Sequence, residues 1–331
     1  MAIRAGIIRG GPSAEYEVSL KSGASVLKHL PADKYQVRDI FIDKKGVWHL
    51  EGRPVDLATL AQSVDVVFNA LHGEFGEDGQ VQKLLDRFSL PYTGSGHYAS
   101  ALAMNKTLAK EKFKAAGLRT PVGLEIRRPC PPKFDNEGGG NDDFLNTEAN
   151  RIFQKISPPW IVKPVDRGSS VGLSLVRSLG ELKQAIADCF LISDLVLVEE
   201  YIRGREATCG VVEGLRGQDL YALFPTEIVR PGDQLFDYQA KYDGETKELC
   251  PGRFSLAEKQ ELERLAKLAH QTLGLRHYSR SDFILTPRGI YLLETNSLPG
   301  LTEQSLLPKA LQAGGIAYPD FLDHLVLLAL A

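Results

Sequence analysis

The sequence predicts an α/β protein, with an open α/β domain at the N-terminus followed by two α+β units. Three observations predict it. First, the apolar strand Ile3 to Ile8 runs into the loop Arg9-Gly10-Gly11-Pro12-Ser13-Ala14-Glu15, after which Val18, Ser22, Val26 and Leu30 recur at roughly helical spacing. Second, Asp65 to Leu71 reads as a buried strand that ends in the polar glycine loop from His72 to Gly79. Third, later strands alternate with helices announced by capping-box spacings, Ser178 with Glu181 and Ser255 with Glu258.

A chain of 331 residues can bury a large core and form two or three domains. Its net charge of -3 gives no support for nonspecific nucleic-acid binding. A local basic cluster can still oppose that global sign and hold a small anion. No apolar run reaches membrane-spanning length, and the start Met1-Ala2-Ile3-Arg4 lacks a signal-peptide pattern, so the cytoplasm is the expected compartment. Cys130, Cys189, Cys209 and Cys250 are widely spaced and form no metal or redox pair.

In chain order, the first glycine loop is not the dinucleotide GxGxxG pattern, which weakens a nicotinamide reading. Glu15 in that loop is a candidate ligand for an ammonium group, or simply a solvated or capping glutamate. Val37 to Ile42 is a strand, and Trp48-His49-Leu50 returns from the turn after it. His72 stands at a strand's carboxyl end, where open α/β sheets bind ligands; an ordinary loop histidine fits as well. Pro91 to Gly96 marks a domain boundary, and one helix is expected from about Ser100 to Ala116, its apolar pattern interrupted by Lys106. Cys130 to Asn150, rich in Pro, Gly, Asn and Asp, reads as a long surface loop or insertion.

Trp160 to Val176 is organised as strand, small polar turn and strand. Lys163 closes the first strand, and Gly168-Ser169-Ser170-Val171-Gly172 makes the turn. Successive N–H groups of such a turn make a nest for phosphate oxygens, and Lys163 adds a point charge. It is not a P-loop, and an ordinary glycine hairpin gives the same pattern. Leu195 to Val198 is a strand leading into Glu199-Glu200-Tyr201-Ile202, a strip suited to a purine and ribose or to a plain edge strand. Ala207 to Val212 and Leu220 to Val229 continue antiparallel. Phe236 to Pro251 is a polar-aromatic segment of the kind that covers ligands, with Lys241 and Tyr242 as plausible contacts. Leu262, Leu265, Ala269 and Leu273 are the buried stripe of a structural helix.

The sharpest constellation lies near the end. Ser281 to Leu285 and Ile290 to Thr295 flank a turn at Arg288 and form a hairpin. Glu294 and Asn296 share one strand face, and the turn puts Asp282 opposite them within about one residue of register. Arg280 shares the parity of Asp282. Three oxygen side chains therefore converge beside one guanidinium, a set suited to Mg2+ when substrate phosphates complete the shell. Pro299-Gly300 ends this loop. A helix is expected from Thr302 to Ala313, and an amphipathic one from Pro319 to Leu330.

Taken together, GGPSAEYEVSLKSG from Gly10, ALHGEFGEDG from Ala70, PYTGSGHYASALAMNK ending at Lys106, KPVDRGSSVG from Lys163, DYQAKY ending at Tyr242 and the final hairpin resemble the D-alanine–D-alanine ligases of the ATP-grasp superfamily. The likeness runs over nearly the whole chain outside Cys130–Asn150. It implies an N-terminal α/β substrate domain (1–98), a central ATP-grasp lid subdomain (99–198) and a C-terminal catalytic subdomain (199–331), with ATP between the latter two. It further implies that Lys106 and Lys163 contact the α- and β-phosphates, with Ser169, Ser170, Val171 and Gly172 above them and Lys241 at the transferred phosphoryl group. Glu199, Glu200, Tyr201 and Ile202 would line the adenine, and Glu206 would accept from ribose.

By the same resemblance, Asp282, Glu294 and Asn296 hold two divalent ions, Mg2+ with Mn2+ as the alternative. Glu15 binds the first D-alanine, with His72 nearby, and Glu15, Ser169 and Tyr242 form a link that positions the lid loop. Arg280 and the Gly300 N–H stabilise the tetrahedral centre, while Ser305 and Leu306 bind the second D-alanine. The implied product is D-alanyl-D-alanine for peptidoglycan precursors, with D-serine or D-lactate as alternative second substrates. The implied assembly is a homodimer, with neither nucleic acid nor membrane as a partner. Two departures stand out: the family's Asn-Thr-x-Pro-Gly is Asn296-Ser297-Leu298-Pro299-Gly300, and its Arg-(Val/Ile)-Asp is Arg280-Ser281-Asp282.

Overall fold

The structure, a computed structural model, describes residues 2–129, 139–168, 171–230 and 246–331. Three sheets follow one another along the chain. The first holds β1 (Ile3–Gly10), β2 (Tyr35–Ile42), β3 (Trp48–Leu50), β4 (Arg53–Pro54) and β5 (Val66–Asn69) in the order β4-β3-β2-β1-β5. Its central strands are parallel, with α1 (Tyr16–His29) crossing from β1 to β2 and α2 (Leu57–Ser63) preceding β5. This is the predicted open α/β domain. Ala5, Ile7 and Ile8 are fully buried because a parallel strand is covered on both faces. After α3 (Gln80–Arg87), Tyr92 adds a parallel bridge to Val67.

The expected helix from Ser100 to Ala116 is two helices, α4 (His97–Met104) and α5 (Lys106–Ala115). Asn105 breaks the run with extended backbone, and its side chain caps α5 by accepting from the Leu108 N–H at 3.0 Å. Lys106 is therefore the first residue of a new helix rather than an interruption within one. The second sheet contains β6 (Gly123–Arg127), β7 (Trp160–Pro164), β8 (Ser174–Val176) and β9 (Leu195–Glu200), all antiparallel in the order β6-β9-β7-β8.

The expected loop from Cys130 to Asn150 needs correction: α6 (Gly139–Lys155) begins inside it. Leu145, Ala149, Ile152 and Ile156 recur at intervals of three and four residues and are buried against α7 (Leu179–Cys189) and the sheet. The polar composition before Leu145 hid that stripe. Ser178 caps α7 as expected.

The third sheet is built on β10 (Arg205–Glu213), with β11 (Leu220–Ala222), β12 (Thr226–Val229), β13 (Lys247–Leu249), β14 (Tyr278–Thr286) and β15 (Gly289–Asn296) in the path β13-β12-β10-β14-β15. Part of the expected Phe236–Pro251 segment is thus the strand β13. The helix α8 (Leu256–Thr272) backs this sheet and carries the predicted capping box, with both hydrogen bonds formed. The α4–α5 pair packs here as well: Ala103, Ala109 and Phe113 share a core with Ala207, Leu262 and Phe283. Of the last helices, α9 (Leu306–Ala313) starts later than predicted because Thr302 to Ser305 form a turn, closed by a Ser305 N–H donation to the Thr302 carbonyl. The terminal helix α10 (Tyr318–Leu330) docks on the first sheet, where Phe321, Leu322 and Leu325 meet Val66 and Phe68. No single helix among the described residues is long and apolar enough to cross a membrane.

One buried histidine ties the first sheet's exit to the third sheet. Gly94 donates its N–H to Nδ1 of His277 at 3.0 Å, so the ring must be neutral at that nitrogen. Burial and then Arg276 push the His277 pKa down to about 4. The unfolded chain therefore takes up the proton first as pH falls, and stability present above about 6.5 is lost progressively toward pH 4. Tm is expected to drop by roughly 4 °C between pH 7 and pH 5, and a His277→Asn variant, which still offers an acceptor but cannot titrate, to show a smaller drop. Equal pH slopes for the two proteins in calorimetry would remove His277 from this role.

Candidate active site

Among the described residues, the three sheets line an open cavity of about 1780 Å³. One wall is the β14–β15 hairpin. The register pairs Asp282 with Glu294 and Arg280 with Asn296, so the predicted convergence is present. A bulge between Asp282 and Phe283 leaves Leu293 as the extra residue, and both Leu293 and Glu294 reach the cavity wall. The Arg280 guanidinium grips Asp282 with two bonds, Nε to Oδ1 and Nη2 to Oδ2, both 3.0 Å. Burial disfavours the Arg280 charge, but Asp282 outweighs it and the net shift is upward. Ser281, the departure between these two residues, faces the other way and bonds Thr295 across the strands at 2.9 Å. Sequence reasoning missed Thr208 on β10, whose Oγ1 donates to Asp282 Oδ1 at 2.6 Å. The antiparallel partner of Asp282 on β10 is Thr208, a pairing no local pattern reveals.

This wall suits a divalent ion. A carboxylate offers about four acceptor positions. Asp282 uses three of them on Arg280 and Thr208. The Asn296 Oδ1 accepts from the Leu298 N–H at 2.8 Å and keeps its second lone pair. Only two carboxylates and one amide converge, and no cluster of three or more His, Cys, Asp or Glu suited to a metal occurs among the described residues. A metal here would take its remaining oxygens from a bound phosphate or water.

Behind this wall lies a buried group of charges. Glu199 is 2% exposed, and its two oxygens face two ammonium groups, Lys110 at 2.7 Å and Lys163 at 2.8 Å. The Lys110 contact is off the line of a directed hydrogen bond and is held by charge. Lys106 approaches Glu294 at 3.9 Å and donates to the Arg167 carbonyl. Three lysines thus share two carboxylates. Burial pulls Lys106 down and Lys110 down to about 8, against the pull of the carboxylates. For Lys163, burial acts the same way, but Glu199 and Glu294 together outweigh it and the shift is upward. Burial opposes ionisation of Glu199, yet Lys110 and Lys163 win and hold it charged. Lys106 and Lys163 line the cavity, and their ammonium groups make it a receptor for an anion. Lys110 escaped sequence reasoning, although its place four residues after Lys106 on one helix was a usable signal.

The other predicted residues take different places. Val171 lines the cavity; Gly172, at φ +71°, turns toward Pro164 and Ile192 and does not. Ser169, Ser170, Lys241 and Tyr242 lie outside the described residues. Glu200, Tyr201 and Ile202 line the cavity, Ile202 within an apolar group with Ile284, Tyr291 and Leu293. Glu200 also accepts from the Val122 N–H at 2.9 Å. Glu206 lines the cavity and is ion-paired with Arg230.

Glu15 and His72 form the wall from the first sheet. Packing there is close: a Cβ on Gly73, which is left-handed at φ +68°, would meet Ser13 Oγ at 2.5 Å, and one on Gly168 would meet Glu15 Oε1 at 2.7 Å and displace it. The loop after β7 therefore approaches Glu15 directly. His72 is buried, bonded to Ser22 Oγ through Nε2 at 2.8 Å and to Glu77 through Nδ1 at 3.3 Å. Ser22 in turn faces the Leu301 N–H at 3.5 Å, which ties α1 to the Gly300 loop. Gly300, Ser305 and Leu306 line the same end, and Ser305 Oγ bonds the Thr302 hydroxyl at 2.7 Å.

Residues 140–327 match the D-ala D-ala ligase C-terminus family, and residues 4–58 and 51–95 match the D-ala D-ala ligase N-terminus family. The chain belongs to the D-alanine–D-alanine ligase family. A D-alanine–D-alanine ligase of Desulfotalea psychrophila is 40% identical over 337 residues, covering 99% of this chain and 95% of the relative. One from Syntrophobacter fumaroxidans is 38% identical over 331 residues, covering 98% and 96%. Among solved structures, the VanG D-Ala:D-Ser ligase of Enterococcus faecalis superposes with a TM-score of 0.85 at 29% identity, covering 99% of this chain and 100% of that one. The Bacillus anthracis D-alanine–D-alanine ligase complexed with ATP gives 0.78 at 28% identity, covering 99% and 98%. The ligase family's fold, an N-terminal α/β domain followed by ATP-grasp α+β subdomains, is the one observed.

Glu294 is the half-exposed carboxylate of the hairpin wall, with side-chain exposure of 43%. Replacing it by Gln keeps its shape and removes the charge. Glu294→Gln is expected to lower Mg2+-dependent ADP formation with D-alanine by about 10²-fold or more, with Tm within roughly 2 °C of wild type. Near-normal turnover in a folded variant would remove Glu294 from the metal role.

Proposed function

We propose that this chain joins two D-alanine molecules at the expense of ATP. The observation that carries the reading is the meeting, in one cavity, of the buried lysine group, the Asp282–Glu294–Asn296 wall and the Glu15–His72 wall. ATP lies with its base against Ile202 and the apolar side chains around it, its ribose at Glu206 and its phosphates toward Lys106 and Lys163. Asp282, Glu294 and Asn296 would hold two divalent ions, Mg2+ or Mn2+, which supply charge neutralisation on the phosphate oxygens. Ser169, Ser170, Lys241 and Tyr242 are assigned to the same phosphate and lid functions on their sequence motifs.

The first D-alanine places its ammonium at Glu15, with His72 alongside. Its carboxylate oxygen attacks the γ-phosphorus, an O–P bond forms, the bond to the β-phosphate oxygen breaks, and ADP leaves. The product is an acyl phosphate. The amine of the second D-alanine, having lost a proton, attacks the carbonyl carbon. Arg280 and the Gly300 N–H stabilise the oxyanion of the tetrahedral centre. The C–N bond forms, the C–O bond to phosphate breaks, and inorganic phosphate departs with the proton that the nitrogen gives up. Exclusion of water protects the acyl phosphate, since hydrolysis would waste ATP. Ser305 and Leu306, at the start of α9, are positioned for the second D-alanine's carboxylate. The functional unit is a homodimer by family resemblance.

The D-Ala:D-Ser likeness makes D-serine the second reading for the acceptor. Competition decides between them. Enzyme, ATP, Mg2+ and D-alanine are incubated with equal D-serine and D-lactate, and products are quantified by mass spectrometry across several pH values. D-alanyl-D-alanine is expected to dominate near neutral pH. Predominant D-alanyl-D-serine or D-alanyl-D-lactate would overturn the acceptor assignment. No condensation product from folded, ATP-binding enzyme would overturn the function.

A further inference from the structure

Lys110 sits behind the cavity, not on its wall, and is 4% exposed. It is one helical turn beyond Lys106 on α5. Its short charged contact is the 2.7 Å approach to Glu199 Oε1, while Glu199 Oε2 faces Lys163 at 2.8 Å. A buried ammonium on a long stem is costly to place there, and no packing need explains its charge.

Two consequences follow from this sharing of one carboxylate. Held at one oxygen only, the Glu199 carboxylate is free to rotate about its last bond; held at both, it fixes the direction of Oε2. Lys163 has a flexible four-carbon stem, so its head follows the oxygen that grips it. In addition, Lys110 keeps Glu199 from neutralising Lys163 by itself. Without Lys110, Glu199 and Lys163 form a closed one-to-one pair, and less positive charge faces the cavity. The fold is expected to tolerate the loss of Lys110, because Glu199 keeps Lys163 as its partner at 2.8 Å.

We propose that Lys110 is a positioning residue for nucleotide phosphate: acting through Glu199, it holds the Lys163 ammonium toward the cavity and leaves it electropositive. The inference rests on reading the cavity as the ATP site. It concerns the phosphate end alone, so its signature is a split between ligands.

In Lys110→Met, KM for ATP is expected to rise about tenfold, equivalent to about 1.4 kcal/mol. KM for first-site D-alanine, and the Ki of adenosine as a competitor of ATP, should both stay within roughly twofold, because neither ligand carries phosphate. An unchanged KM for ATP overturns the proposal. So does a parallel loss for ATP, adenosine and D-alanine, which marks a merely structural role. Should the Met variant not fold, Lys110→Leu, which likewise removes both the donor to Glu199 and the charge, carries the same test by the same criteria. Wild-type enzyme serves as the control in every assay. Its failure to release ADP with D-alanine would remove the functional reading and this inference with it, whereas an active wild type beside an unchanged variant removes this inference alone.

Discussion

Four buried charges, Lys106, Lys110, Lys163 and Glu199, are joined by the half-exposed Glu294, and the five stand on four different elements that bring opposite charges together. A charge taken out of water is costly unless an opposite charge takes the place of its hydration. Lys106 and Lys110 come from α5, Lys163 from β7, Glu199 from β9 and Glu294 from β15. This one requirement fixes α5 between the second and third sheets. It also makes the cavity: an apolar floor on one side, and on the other a surplus of positive charge that an anionic ligand completes.

The wall from the first sheet is held by different means. There the constraint is space. Gly168 lets the loop after β7 come close to Glu15 without displacing its carboxylate, and Gly73, left-handed at φ +68°, keeps the turn beside Ser13. A chain of buried bonds through Glu77, His72 and Ser22 then reaches the Leu301 N–H, so the loop carrying Gly300 is registered against α1. The docking of α10 on the first sheet reinforces that contact, because the chain between Gly300 and α10 spans both units. Residues assigned to the two amino-acid positions are thereby linked through a common scaffold rather than through each other.

Much of this arrangement is legible in the amino-acid sequence. The hairpin parity places Asp282 beside Glu294 and Asn296, since strand alternation is strictly local. Capping-box spacing locates α7 and α8, and strand ends locate Glu15, His72 and Lys163. The failures share a cause. Asn105 splits a helix by a cap that competes with continued helical bonding, and an apolar pattern alone does not report it. The helix α6 hides its stripe behind polar residues. The bulge at Asp282 and Phe283, which brings Leu293 and Glu294 both to the cavity, depends on pairing across strands.

What the sequence determined by itself was the order of most elements, α6 and the α4–α5 break excepted, together with the hairpin faces and the set of residue types able to handle phosphate and an amino acid. These follow from periodicity, turn chemistry and capping, which act over a few residues. Only the tertiary structure decided that Glu199 is divided between two lysines, that Thr208 supports Asp282 from a strand some seventy residues away, and that Gly172 turns from the cavity while Gly168 faces Glu15. Each of these is a matter of which distant groups share a small volume. Electrostatic partnership and steric fit are properties of that volume and are not carried by any stretch of the chain alone.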